Sequence, residues 1–496
     1  MNYKIMANNI LDLKPGNVWK HFYALTQIPR PSGSMEKITD FIENFGKNLG
    51  LETTRDAAGN ICIRKPATKG YENRQTIILQ SHLDMVPQAN SDLNFDFTKD
   101  AIQAYIDGEW VKAEGTTLGA DNGIGVATTM AILEATDLQH GPLEGLFTTD
   151  EETGMYGALA VCPGFVNGKI MLNLDSELDG ELYIGCAGGE DVSVSFQYES
   201  EPVALKEPVV LKISLKGLKG GHSGVDIHLG RANANKLIFR VLKDAMLNQN
   251  ARLLSVQGGT LRNAIPREAF ATIVVDGETN HQGILSLVDS YRGVFNEEFD
   301  GIENVIELKA ERQAAPSMPL QAIPFEIQQK LTHAIVGCPN GVINMFAKIP
   351  DTVETSVNMA IVQAGDRTTE IKFLARSSSE TKKRAICSSV ESLFINAGAK
   401  VVAANGYPGW NPNPNSAVLQ VMKKVFEAQR GYAPKVEVMH AGLECGIILS
   451  SLPGLDTVSF GPTIQFPHSP DEKIEIASVQ KFWDYLIEIL REAASK

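Results

Sequence analysis

The chain changes its hydrophobic rhythm twice. Up to about residue 188, short apolar runs alternate with helical stretches. EKITDFIENFGKNLG (36–50) repeats apolar residues at the spacing of an amphipathic helix, and DNGIGVATTMAILEA (121–135) has helical periodicity too. QTIILQ (75–80), LEGLFTTD (143–150) and KIMLNLD (169–175) are apolar runs of strand type. Strands separated by helices predict an α/β fold with a mostly parallel, doubly wound sheet.

From about 189 the period becomes two. DVSVSFQYES and PVVLKISLKGL alternate as the strands of a half-exposed antiparallel sheet do. A helix over about 231–246, the run TLRNAIPREAFATIVVD and a helix around 281–298 follow. The layout then recurs: ETSVNMAIVQAGDRTTEIKFLARSS reads as a hairpin and ETKKRAICSSVESLFINAG as a helix. Residues 189–400 are therefore expected to form an inserted α+β domain, built from two related sheet-helix units. After 401 the first rhythm returns, with a helix at SAVLQVMKKVFEAQ, a strand and turn at LDTVSFGP, and a closing helix at SVQKFWDYLIEILREAA. The expectation is one domain made from both chain ends, 1–188 and 401–496, with YPGWNPNPN (407–415) as a loop near a junction.

A length of 496 residues suits two or three domains, and 43% hydrophobic residues suffice for a sizeable core. Lys plus Arg total 45 against 59 Asp plus Glu, a formal charge of -14, which argues against a nucleic-acid partner. Six cysteines, at 62, 162, 186, 338, 387 and 445, contain no CxxC pair, so a disulfide framework is not expected. Cys445, beside Glu444, reads either as a nucleophile or as a small buried hydrophobe. The N-terminal MNYKIMANNILDLKPGNVW lacks the apolar core of a secretory signal, and no run is long enough to span a bilayer. A cytoplasmic protein without a membrane partner is expected.

Chemistry gathers at the strand ends. In LQSHLDMVP, His82 and Asp84 follow an apolar strand and are two residues apart, so on extended chain they face the same side. They read either as a metal ligand with its orienting carboxylate or as a core histidine and a cap. Asp121 lies in the Gly-rich turn TTLGADNGIG ahead of a helix, as an N-cap or as a carboxylate between two cations. FTTDEETG sets Asp150, Glu151 and Glu152 in a tight turn, where nearby cations would offset their repulsion. Asp175 ends the strand of LNLDSE, and His468 sits in the Pro-rich FGPTIQFPHSPDEKI. Two histidines and three carboxylates, mostly at strand ends, form a ligand set suited to Zn²⁺, with Mn²⁺ or Co²⁺ as substitutes.

These five segments, in this order, resemble the dizinc peptidase family that includes aminoacylase, carboxypeptidase G, succinyl-diaminopimelate desuccinylase and carnosinase. The wording SHLDMVPQ, LGADNGIGVA and TTDEETGMYGA is most similar to that of its bacterial dipeptidase branch. The resemblance implies two zinc ions per chain, one completed by His82 and Asp175, the other by Glu152 and His468, with Asp121 bridging. It implies that Asp84 orients His82, that Glu151 is the general base for a metal-bound hydroxide, and that a cis peptide joins Asp121 to Asn122. It further implies that His222, in LKGGHSGVDIH, stabilises the oxyanion. Asn263, Arg376, Gly442 and Glu444 would contact substrate, with Arg376 on the terminal carboxylate. His228 and His440 receive no role.

The expected activity is hydrolysis of dipeptides with broad specificity, including Xaa-His such as carnosine. The alternatives are an N-acyl amino acid deacylase or exopeptidase of the same family, or a metal-binding protein without catalysis. The insert is about twice one sheet-helix unit, so His222 is expected to act within its own chain. A homodimer would then be compatible with catalysis but not required for it.

Overall fold

The computed structural model describes residues 9–314 and 319–493. The chain divides into two compact units. The first comprises Met1–Gly185, Trp410–Val438 and Leu443–Lys496, and the second comprises Cys186–Gly409 and Met439–Gly442.

The first unit is built on an eight-stranded sheet. Its order is Glu52–Arg55, Ile61–Lys65, Leu143–Thr148, Ile77–His82, Ile170–Asn173, Asp456–Ser459, Glu181–Cys186 and Lys435–Met439. The four central strands, from Leu143–Thr148 to Asp456–Ser459, pair in parallel. The flanking pairs Glu52–Arg55 with Ile61–Lys65, and Ile61–Lys65 with Leu143–Thr148, are antiparallel. The central strands Leu143–Thr148, Ile77–His82 and Ile170–Asn173 are buried at every position, which is why they read as continuous apolar runs rather than alternating ones. Helices Gly16–Thr26 and Ala120–Glu134 pack on each other, and their apolar faces join one core with Ile61, Ile63 and Phe147. A smaller four-stranded sheet, in the order Ile464–Gln465, Lys473–Glu475, Trp110–Ala113 and Ala104–Asp107, completes the unit.

The second unit holds a nine-stranded sheet whose pairings are antiparallel among the described residues. Its two halves meet along a short contact of Arg252–Gly258 with Val353–Ala364, where Val256, Gln257 and Gly258 pair with Ala364, Gln363 and Val362. Helices Ala234–Gln249, Phe325–Gly337 and Glu380–Asn396 supply its core through Phe239, Leu331 and Phe394.

The divide falls outside the expected 189–400 on both sides. Residues 401–407, expected in the second half of the end-built domain, instead belong to the strand Lys400–Tyr407, which pairs with Gly188–Gln197, Val401 opposite Val194 and Tyr407 opposite Gly189. An edge strand is chosen by its partner, and VVAA fits either sheet. Met439–Gly442 also belongs to the second unit, which no local pattern indicated.

Candidate active site

Three of the expected ligands end the central strands of the first unit or follow them closely. His82 closes Ile77–His82, Glu152 lies just beyond Leu143–Thr148, and Asp175 lies just beyond Ile170–Asn173. This is the carboxyl edge of the parallel strands, where loops diverge and leave a crevice. Asp121 enters at the start of helix Ala120–Glu134, with non-helical backbone and a cis bond to Asn122. His468 stands in the loop between Ile464–Gln465 and Lys473–Glu475, at positive φ.

These side chains converge. His82 Nε2 lies 3.0 Å from Asp121 Oδ1 and 3.3 Å from Asp175 Oδ1. His468 Nε2 lies 3.2 Å from the other Asp121 oxygen, Oδ2, and 3.0 Å from Glu152 Oε1. Ligand atoms of His82, Asp121 and Glu152 all fall within 4.8 Å of one another. Bonds of about 2.0–2.1 Å to a tetrahedral ion place its ligand atoms roughly 3.3–3.4 Å apart, so the spacing suits a zinc-sized cation. Hydrogen bonds to the Asp121 and Glu152 carboxylates push the His468 imidazole up to about 11, and burial pushes Asp175 up to about 6. A set of mutually repelling buried carboxylates around two imidazoles is chemistry that a divalent cation satisfies.

Around this cluster the backbone is held by buried charges. Asp84, fully buried, accepts from the backbone N–H groups of Glu151 at 3.0 Å and Glu152 at 3.1 Å, and from Ser32 Oγ at 2.8 Å. Its Oδ1 is also 3.4 Å from His82 Nδ1. One carboxylate thus faces the histidine and fixes the turn that carries both glutamates. The Glu151 carboxylate makes no hydrogen bond or ion pair among the described residues, and burial holds its proton affinity well above the usual carboxylate range. Burial also raises Glu444 to about 7. Its Oε2 accepts from Gln80 Nε2 at 2.6 Å and Thr148 Oγ1 at 2.7 Å, and the residue is wholly buried. Glu444 therefore braces two strand ends from inside.

Residues 78–492 match the profile of peptidase family M20/M25/M40. The chain belongs to that family. This M20 peptidase is 44% identical over 489 residues to the cytosol non-specific dipeptidase of Escherichia coli (strain K12), covering 99% of this chain and 100% of that one. Among solved structures it is similar to aminoacylhistidine dipeptidase from Vibrio alginolyticus, with 42% identity, TM-score 0.91 and 98% of each chain covered. Aminopeptidase PepT from Bacillus cereus, at 17% identity and TM-score 0.56 over 97% of this chain and 100% of that one, shares the fold.

In the second unit of the M20 peptidase, His222 and Asn263 come together through a small two-stranded pairing. His222 lies opposite Ala264, and Ser223 N–H donates to the Asn263 carbonyl at 2.8 Å. His222 Nδ1 accepts from the N–H groups of Gly224 at 3.2 Å and Val225 at 3.0 Å, so the ring proton sits on Nε2. Burial, and then the charge of Arg376, lower its pKa to about 4 and keep the ring neutral. Arg376 is buried, donates from Nη1 to the Tyr407 hydroxyl at 3.0 Å, and has no partner for Nε among the described residues. Gly442 belongs to the short Met439–Gly442 segment. All six cysteines are free thiols, and Cys445 is buried.

Sequence patterns missed Arg30 and Glu472. Arg30 is buried and donates to the carbonyls of Leu83 at 2.9 Å, Asp84 at 3.0 Å and Gly119 at 2.5 Å. In PRPSG and SPDEK both read as solvated loop charges, and nothing local marks them as buried.

Proposed function

We propose that this M20 peptidase hydrolyses the peptide bond of dipeptides with broad specificity, Xaa-His substrates such as carnosine included. Two divalent cations would serve it, zinc first and Mn²⁺ or Co²⁺ as substitutes. The observation that carries the two-cation reading is the division of Asp121, whose two oxygens each face a different histidine. His82 and Asp175 would complete one position, and Glu152 and His468 the other. When bound, such a pair polarises the scissile carbonyl and lowers the pKa of the attacking water.

The protein's own groups do the rest. Glu151, held by Asp84 through its backbone and unpaired at its carboxylate, takes the proton from the attacking water and delivers it to the leaving amine. Asp84 keeps His82 in the tautomer that presents Nε2. His222, neutral with its proton on Nε2, donates to the oxyanion. Arg376, with Nε unused, takes the free carboxylate of the substrate, and Asn263 and Gly442 line its path. Glu444, being wholly buried, supports Gln80 and Thr148 rather than touching substrate. The dipeptide reading is supported by the names of the two close relatives. A cytosolic setting is supported by the first of those names and by six free thiols.

The test is a panel of dipeptides, their C-terminally amidated forms and N-acyl amino acids, each given to the fully metallated protein. Cleavage of free dipeptides with a large loss on amidation is expected. Preference for N-acyl amino acids would assign the deacylase reading, and no cleavage of any dipeptide would overturn ours.

A further inference from the structure

Glu472 has an arrangement that no ligand assignment explains. Its carboxylate is 1% exposed and collects four backbone N–H groups in succession. Oε2 accepts from Leu118 at 2.8 Å and Gly119 at 2.9 Å, and Oε1 accepts from Ala120 at 2.7 Å and Asp121 at 3.2 Å. These are the residues that deliver the Asp121 side chain to the cluster. Glu472 itself closes the loop that carries His468, its N–H bonded to the Ser469 carbonyl at 2.9 Å. The next residue starts Lys473–Glu475, which is paired on both sides, Ile474 facing Ile464 and Val111. The His468 loop is thus tied to a rigid sheet at its base and to the Asp121 turn through one buried carboxylate.

We propose that Glu472 is a positioning residue that sets the separation of Asp121 and His468, and with it the affinity of the cation position that these two share with Glu152. This rests on the metal reading above. The carboxylate does what no neutral side chain can do there. Each of its oxygens accepts two N–H donors. In glutamine one oxygen becomes an NH2 group, which would face two donors with a third. The near-isosteric Glu472→Gln is therefore expected to disturb the turn at least as much as Glu472→Ala, which leaves room for water. A role in volume or packing alone predicts the reverse order.

The experiment measures Zn²⁺ affinity by chelator competition for the full chain and for Glu472→Gln, Glu472→Ala and Glu472→Asp. The visible spectrum of the cobalt-loaded proteins is recorded alongside, because it reports ligand geometry independently of activity. We expect Gln and Ala to weaken the looser-bound equivalent by about 10–100-fold, the range for partners that orient ligands. An altered cobalt spectrum and a fall in kcat with little change in KM should accompany it. Asp, which keeps the charge but shortens the reach, should fall between wild type and Ala, and serves if Gln and Ala do not fold. Wild-type affinity and cobalt spectrum in the Gln or the Asp variant would overturn the proposal. If the unaltered protein itself binds no metal, the metal reading fails instead, so the two failures are distinct.

Discussion

At the scale of single residues, the candidate site sets one unpaired carboxylate beside the groups that anchor its backbone. Glu151 is anchored through its N–H on Asp84 and leaves its carboxylate unpaired. Glu151→Gln preserves volume and that anchor but cannot carry a proton. We expect metal content to be unchanged and kcat to fall by about 10²–10⁴-fold, the usual share of a general base, as checked by metal analysis and initial rates on one preparation. His440 offers a second residue-level expectation. Burial, and then the charge of Arg376, lower its pKa to about 3, and its Nε2 lies 2.7 Å from Ser356 Oγ. An unfolded histidine titrates near 6.5, so between about 6.5 and 3 the unfolded chain binds the extra proton. The stability tied to a neutral His440 is present above pH 6.5 and is lost as pH falls. Its slope is at most about 1.4 kcal/mol per pH unit. Denaturant titrations from pH 7 to pH 4 should show that loss, and His440→Gln should flatten it.

At the scale of elements, the legibility of the sequence followed the physics of burial. Helices such as Glu36–Asn48 and Glu380–Asn396 were visible because one face is apolar and the other wet, and the hairpin Val353–Ala364 with Thr368–Ser377 because a polar turn parts two strand-type runs. The segments that carry the candidate ligands stood out because His and carboxylates at the ends of apolar strands are uncommon. Lys400–Tyr407 went to the wrong unit because strand pairing is a long-range choice. Arg30 and Glu472 escaped for a similar reason: their partners are backbone groups far along the chain, which side-chain patterns do not encode. Close backbone approach is equally silent in sequence. A Cβ on Gly461 would lie 1.8 Å from the Ser176 carbonyl, between the strand Asp456–Ser459 and the loop after Asp175. Gly461→Ala must part these segments. We expect a loss of about 1–3 kcal/mol in stability, as overpacking produces, together with weaker metal binding, read by denaturant unfolding and metal titration.

At the scale of the molecule, the second unit carries His222 and Asn263 at a small two-stranded pairing and Arg376 in its nine-stranded sheet. The doubled length of the insert is the ground for proposing that catalysis needs no second copy. Specific activity per chain should stay constant on dilution through any dimer–monomer transition followed by light scattering. A fall in activity that tracks dissociation would assign a partner's contribution.

The strand Asp456–Ser459 lies between Ile170–Asn173 and Glu181–Cys186, inside the sheet and not at its edge. Ribosomal synthesis therefore presents a long interval in which two early strands have been made but the one that separates them has not. Until residue 459 emerges, the nascent first unit has an open slot with unpaired backbone, the sort of exposed edge that recruits chaperones or foreign strands. His468 follows only nine residues later, so sealing of that slot and arrival of the last metal-ligand candidate are nearly simultaneous. Metal loading by this chain would be a late event of biogenesis, and nascent chains stalled before residue 456 should bind chaperones persistently while those released beyond 472 do not.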